Sequence, residues 1–354
     1  MIASLSLPVL FLIFGVSAVV IWFAGIKLSQ TADILSIHFG LGEALGGLIL
    51  LAIVTNLPEI AITVSAALQN NMELAIGNIL GGIAIQTVVL VFLDVFGLGK
   101  KDPLTYRAAS LVLVLEGLMV ITVLTLVVLG NQLRPSLIYM GVSPVDATIM
   151  LVWMAGIYLI WRARTNLPWH QLGILPNSQK EKRGHSMNKR HDLAIKKGVS
   201  IQTVILVFAL CSVFTLVAGV GLEVSGDAIA KHIGMTGVLF GATILAAATS
   251  LPEVSTGLAS MKLKDYQMAM SDIFGGNAFL PVLFLVASVI SGKSVLPQAH
   301  KTDIYLTGLA ILLTIIYICG LIFRPRKQLL WMGVDSFLVM IVYLIGLLGL
   351  FAIS

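Results

Sequence analysis

Apolar positions along this chain neither alternate nor form a helical stripe. They run on in blocks, separated by short polar stretches. A bilayer-crossing helix needs about 20 predominantly apolar residues, and on that rule ten spans are predicted: 6–27, 41–68, 72–97, 106–130, 144–161, 200–221, 236–261, 266–291, 303–323 and 331–353. Helices that are apolar all round are expected in lipid, so the class is an all-α integral membrane protein. Two runs contain what lipid should exclude. Thr55-Asn56-Leu57-Pro58-Glu59 places a helix breaker and a carboxylate in the middle of the second run, and Thr249-Ser250-Leu251-Pro252-Glu253 does the same 194 residues later. An ionisable residue inside a membrane span is a functional-site hypothesis by default.

Composition agrees with lipid as the solvent: 58% of residues are hydrophobic and 11% charged, against about 25% charged in a soluble domain. Cys211 and Cys319 fall inside apolar runs and read as small core residues rather than a disulfide. All six histidines lie outside or at the ends of the runs, which argues against a buried histidine–metal centre. The N-terminus turns apolar almost at once without a basic segment, so it reads as a retained first span rather than a signal peptide.

Basic residues orient the spans. With the N-terminus outside, the inner loops hold Lys27; Lys100, Lys101 and Arg107; nine residues between Arg162 and Lys197; Lys262 and Lys264; and Arg324, Arg326 and Lys327. The outer loops hold only Arg134, Lys231, Lys293 and Lys301. Eighteen against four places both termini outside and the polar stretch 162–199 in the cytoplasm as a solvated basic linker.

That linker divides the chain into a first five-helix half, 1–161, and a second, 200–354. Shifting one half on the other by 194 residues gives fourteen identities in the 45 positions from 40 to 84, without a gap, including Gly40/Gly234, Gly47/Gly241, Thr55/Thr249, both Leu-Pro-Glu triplets and Gly81-Gly82/Gly275-Gly276. An odd number of spans per half inserts the second copy upside down. The predicted architecture is therefore ten transmembrane helices as two inverted five-helix repeats with broken central helices, the plan of secondary transporters that bind substrate near the midplane.

Pro58 and Pro252 carry no amide hydrogen and clash one turn back, so the carbonyls of Val54 and Ala248 are expected to lose their helical partners and those of Thr55 and Thr249 to loosen. Freed carbonyls in lipid are tolerated only where they line a cavity or meet a ligand. Thr55 and Glu59 share one helix face, as do Thr249 and Glu253. Each motif presents a carboxylate, a hydroxyl and bare carbonyls, which are hard oxygen ligands for calcium, sodium or magnesium. Two glutamates alone would repel one another; a divalent cation, two monovalent ions, or a cation and a proton would balance them. On the following helices, Asn78, Gly82 and Gln86 form one stripe, and Asp272, Gly276 and Leu280 its counterpart. Gly77, Gly81, Ser271 and Gly275 permit close helix approach.

These two blocks, 40–95 and 234–289, resemble the α-repeats of the calcium/cation antiporter superfamily, whose best-known members are sodium/calcium exchangers. The resemblance implies a prokaryotic, inner-membrane protein. It implies calcium coordination by Glu59 and Glu253 with the backbone carbonyls of Thr55 and Thr249, and places Thr55, Asn56, Thr249, Ser250 and Gln86 along the ion path. It further implies alternating access in which spans 1 and 6 slide against the other eight. The chain departs from the family where Gly82-Ile83 and Gly276-Asn277 stand in place of Ser-Asn, where Gln86 replaces an asparagine, and where Leu280 replaces an acid or amide. Groups that the family uses largely for sodium are missing, while calcium-type ligands survive better.

The function expected is a secondary antiporter, not an enzyme, exchanging Ca2+ for Na+ or H+. The alternatives are a proton-coupled or monovalent-cation exchanger of the same fold, or a channel-like or non-transporting relative. A membrane enzyme is disfavoured by the lack of a nucleophile–base pair, metal histidines or a phosphate loop to accompany the deep carboxylates. No cofactor, nucleic acid or obligate protein partner is expected, only inorganic cations and the bilayer. Asp272, deep in its run, is expected to act as a proton carrier or a first docking point for cations. Glu116 is expected to be structural, and Asp94, Asp146 and Asp335 interfacial.

Overall fold

The computed structural model describes residues 5–39, 50–99, 102–133, 138, 141–165, 185–196 and 198–353. Among them, nine helices are long and apolar enough to cross a bilayer. The second predicted span appears as two pieces, α2 (Leu51–Thr55) and α3 (Leu57–Leu68), and its first residues, 41–49, lie outside those described. It is preceded by α1 (Leu7–His38) and followed by α4 (Met72–Phe92), α5 (Leu104–Ala108), α6 (Leu111–Asn131) and α7 (Pro144–Thr165). After a linker helix, α8 (His185–Lys196), come α9 (Ile201–Ile233), α10 (Gly237–Phe240), α11 (Ala246–Thr249) and α12 (Leu251–Lys262). Then follow α13 (Tyr266–Phe279), α14 (Leu283–Ser291), α15 (Lys301–Phe323) and α16 (Val334–Ile353), with a short hairpin, Gln328–Leu329 against Met332–Gly333, before the last helix.

The spans are not equivalent. α4 and α13 with α14 are mostly buried, whereas α1 and α9 are mostly exposed along their apolar windows and display Phe11, Leu12, Phe23, Leu206 and Val217 outward. The buried helices α4 and α13 carry Gln86, Gly276 and Asp272, and α1 and α9 pack together at the periphery. Both peripheral helices outrun their predicted ends, 27 and 221. At 1.5 Å per residue, α1 is about 48 Å long, well beyond a hydrocarbon core of about 30 Å. The predicted ends were set by the first polar residues. Those residues (Ser29, Thr31, Asp33 and Ser36 on α1; Glu223 and Ser225 on α9) instead continue the helix with their side chains buried against protein.

Two close crossings seat the peripheral helices on the motifs. A methyl group at Gly25 of α1 would lie 2.9 Å from Cβ of Pro252, and one at Gly219 of α9 would lie 2.7 Å from Cβ of Ala61 and 3.1 Å from the Pro58 carbonyl. Gly25 and Gly219 are related by the same 194-residue shift as the motifs. Each peripheral helix therefore rests on the proline motif of the opposite half. Gly77 and Gly81 of α4 serve packing: side chains there would run into the backbone at Val238 and Ala242.

Three sequence expectations change. Asp94, Asp146 and Asp335 are buried rather than interfacial, and the first two cap span ends that fold back. Asp94 accepts from the Leu104 and Gly333 amides (2.9 and 2.7 Å), and Asp146 accepts from the Ser143 amide and the Ser288 hydroxyl (3.2 and 3.0 Å). Cys211 and Cys319 are free thiols, but half-buried and exposed respectively, because they sit on outward helix faces. The span 266–291 is interrupted by a 3-10 turn at Leu280–Val282, for which Pro281 is the visible cause.

Overpacking a close helix crossing costs about 1–3 kcal/mol. Gly219→Leu is therefore expected to lower the apparent melting temperature of the purified protein by roughly 2–10 °C. Gly15→Ala, where nothing lies within 4 Å, leaves it undiminished; equal melting temperatures for both variants would contradict the crossing.

Candidate cation site

The two motifs break their helices in the same way. Asn56 (φ −88°, ψ 16°) separates α2 from α3, and Ser250 (φ −78°, ψ 2°) separates α11 from α12, with Pro58 and Pro252 in the first turn of the second piece. Proline is accepted there because a first-turn amide has no intrahelical partner to lose. Each glutamate thus falls at the start of a new helix, next to unpaired amides that favour negative charge.

The loosened backbone is recapped locally. The Thr55 hydroxyl donates to the Leu51 carbonyl (3.1 Å) and the Asn56 amide to the Ala52 carbonyl (2.6 Å). In the second motif the Thr249 and Ser250 hydroxyls donate to the Ala246 carbonyl (3.1 and 2.8 Å). The Val54 carbonyl, expected to be bare, receives the Asn56 backbone N–H. A hydroxyl that spends its proton on its own helix keeps its lone pairs for another partner, so Thr55 and Thr249 remain oxygen donors.

Glu59 and Glu253 are both fully buried, and Gln86 joins them. Its side-chain amide donates to Asn56 Oδ1 (3.1 Å), Glu59 Oε1 (3.3 Å) and Glu253 Oε1 (3.3 Å). Across the halves, the Glu59 carboxylate also lies against Thr249 and the Glu253 carboxylate against Thr55. Gly276 makes room for this arrangement: a methyl group there would lie 2.7 Å from Asn56 Nδ2 and 3.4 Å from Gln86 Oε1.

Three buried oxygens in this cluster, Glu59 Oε2, Glu253 Oε2 and Gln86 Oε1, have no hydrogen-bond partner. An unsatisfied buried acceptor costs about 1–3 kcal/mol, and more when charged. No lysine or arginine among the described residues pairs with either glutamate. Nor do three His, Cys, Asp or Glu side chains there converge into a metal-ligating group. The donor set is two carboxylates, an amide oxygen and two hydroxyls. It suits a hard cation with many oxygen ligands, and not a thiolate or imidazole metal.

Asp272 reaches the edge of the cluster. Its Oδ1 lies 3.5 Å from the Thr55 hydroxyl and its Oδ2 accepts from Thr256 at 2.6 Å. Thr256 was not singled out in the sequence, although it falls one turn after Glu253. Leu280, the counterpart of Gln86, is fully buried and offers no oxygen, so the two halves contribute unequally. Glu116 is buried on α6, lining a small void with Trp153, Phe274 and Gly275, and takes no part in the bonds that join the motifs.

Several known proteins share this architecture. The Escherichia coli (strain K12) inner membrane protein YrbG is 25% identical over 279 residues, covering 78% of each chain. The putative antiporter CaxA of Alkalimonas amylolytica is 25% identical over 257 residues, 72% of each. Among solved structures, the sodium-calcium exchanger NCX_Mj superposes with a TM-score of 0.62 at 15% identity, covering 97% of this chain and 99% of that one. The H+/Ca2+ exchanger CAX superposes with a TM-score of 0.58 at 15% identity, covering 96% and 87%. The sequence profile described as "Sodium/calcium exchanger protein" matches residues 9–162 and 203–349. With its two proline–glutamate motifs facing one another inside a bundle of membrane-spanning helices, this chain belongs to the sodium/calcium exchanger protein family.

Proposed function

We propose that the chain is a secondary active antiporter that carries calcium against sodium or protons, with Glu59 and Glu253 holding the cation. The observation that carries this reading is the pair of buried carboxylates tied to one amide, each keeping an unpartnered oxygen. A divalent cation between them neutralises both charges. Two sodium ions, or protons, restore the balance when it leaves, and that exclusivity is what couples the two fluxes. Gln86, Thr55 and Thr249 complete the oxygen shell, while Asn56 and Ser250 hold the helix breaks through Ala52 and Ala246.

Alternating access needs a rigid core and a part that moves. The buried helices α4 and α13 supply the first, and the peripheral pair α1 and α9 fits the second, since each rests on a motif through one glycine crossing. Gly25 and Gly219 let α1 and α9 lie directly on the motif prolines, so a shift of either helix is felt at the site. We further propose that the halves are inverted repeats, with the termini outside the cell membrane and the linker inside.

Proton coupling is the second reading, and Leu280 favours it. A leucine facing the cluster where an oxygen ligand would serve sodium leaves the second half short of sodium ligands. Asp272, bonded to Thr256 and 3.5 Å from the Thr55 hydroxyl, is the acid placed to take part in proton movement.

Proteoliposomes loaded with sodium, or at acidic internal pH, are expected to accumulate calcium on dilution into calcium-containing medium. Glu59→Gln with Glu253→Gln is expected to cut that uptake by more than about tenfold, the equivalent of about 1.4 kcal/mol; uptake that persists in the double variant would refute the assignment. If Asp272 carries protons, Asp272→Asn flattens the pH dependence of uptake. A pH profile identical to that of the unsubstituted protein would remove Asp272 from the pathway.

A further inference from the structure

The linker is not wholly a solvated connection. Its helix α8 docks on the bundle: Met187 is 1% exposed and packs with Leu51 of α2, Met268 of α13 and Ile37 of α1. Leu51 lies one turn before Thr55 and Met268 one turn before Asp272. Arg190 comes from α8 as well. Its guanidinium forms an ion pair with Asp33 of α1 and donates to the Ser29 hydroxyl at 3.4 Å. The Asp33 side chain is 2% exposed and that of Arg190 12%.

A buried ion pair is an uneconomical way to hold a linker in place. Desolvating the two charges offsets most of their attraction, and a basic side chain on a solvated linker would otherwise stay in water. Asp33 Oδ1 and Arg190 Nη2 find no further partner, so the pair is not a fully satisfied structural network. Its surroundings are acidic. Asp272 lies within electrostatic reach of both Asp33 and Arg190, Asp265 within reach of Asp33, and Glu253 within reach of Asp272. Arg190, Asp33, Asp272 and Glu253 thus form a row of charges leading from the linker to the candidate site.

The opposite peripheral helix provides a comparison. The 194-residue shift that superimposes the motifs carries Asp33 onto Asp227 of α9. Asp227 pairs with Lys231 one turn along its own helix (2.6 Å) and accepts from Asn71 at 2.9 Å. Lys231 is 70% exposed. One copy of this acid is therefore served by a local, solvated lysine, and the other by a buried arginine from a separate helix.

We propose that Arg190 is a tethered occupant of the linker-side cation path, seated on Asp33, and that cations reach Glu59 and Glu253 from that side only when α8 withdraws it. This rests on the reading of the two glutamates as the cation site. The tethered charge competes with cations arriving from the linker side and scales their apparent affinity down to the fraction of time it is withdrawn. The other side is unaffected.

The test uses full-length protein carrying Cys211→Ser and Cys319→Ser, with Ser29→Cys as a reporter beneath the guanidinium. In detergent, a maleimide is expected to label position 29 slowly when Arg190 is present. It labels at least about tenfold faster in Arg190→Gln, and slowly again in Arg190→Lys, which keeps the charge. Asp33→Asn with Arg190→Gln leaves no unpaired buried charge and is expected to label as fast as Arg190→Gln alone. Equal rates in all four proteins overturn the proposal. In proteoliposomes, Arg190→Gln is expected to lower the half-saturating calcium concentration about tenfold on the linker side only; faster labelling with unchanged half-saturation overturns the occupancy of the path. Protein that labels as expected but exchanges no calcium in any form keeps the arginine contact and refutes the cargo reading instead.

Discussion

Two carboxylates share one amide in the interior of a membrane bundle, and the rest of this structure is arranged around that contact. Gln86 joins Glu59 and Glu253, each of which accepts one hydrogen bond from its Nε2. No basic side chain among the described residues neutralises them. Charges of like sign cannot stay so placed in a low-dielectric interior without a counter-charge, so the protein's own composition calls for a mobile cation or proton. Broken helices follow from the same need. Proline at the first turn of α3 and α12 turns the start of a helix toward each carboxylate, and the side chains of Thr55, Asn56, Thr249 and Ser250 recap the carbonyls that the breaks expose.

The surrounding helices divide into those buried around this contact and those packed over it at the periphery. α4 and α13 are buried on nearly every face and carry Gln86, Gly276 and Asp272. α1 and α9 meet the motifs through Gly25 and Gly219, where the absence of side chains lets the helices approach closely. The charged ends of those two helices, Asp33 and Asp227, are tied differently, one to the linker and the other to its own helix. The halves thus differ at Asn56/Ser250, Asn78/Asp272 and Gln86/Leu280 around the site, and in the partners of Asp33 and Asp227.

Much of this was legible in the sequence because lipid imposes strict rules. A proline beside a glutamate in an apolar run has few explanations, and finding it twice at a fixed shift left fewer. The meeting of Glu59 with Glu253, and of Thr55 and Thr249 with them, follows from that repeat, whereas Asn56 and Gln86 were implied by the family resemblance. What escaped the sequence were features set by packing between distant segments. The true lengths of α1 and α9 were hidden because buried polar residues resemble the end of a span when their protein partners are unknown. The burial of Asp94, Asp146 and Asp335 was hidden because loop caps depend on where the chain returns. Arg190 was hidden among eight other basic residues of the linker, although the pairing of Asp33 with Asp227 under the 194-residue shift was available as a signal.

Anomalous diffraction from crystals of the unsubstituted protein soaked in strontium, a heavy analogue of calcium, tests the central claim most directly. The account predicts a principal peak within ligand distance of the Glu59 and Glu253 carboxylates, between Gln86, Thr55 and Thr249. A peak at Asp33 and Asp272 alone, or density bound elsewhere with both glutamates unliganded, would contradict it.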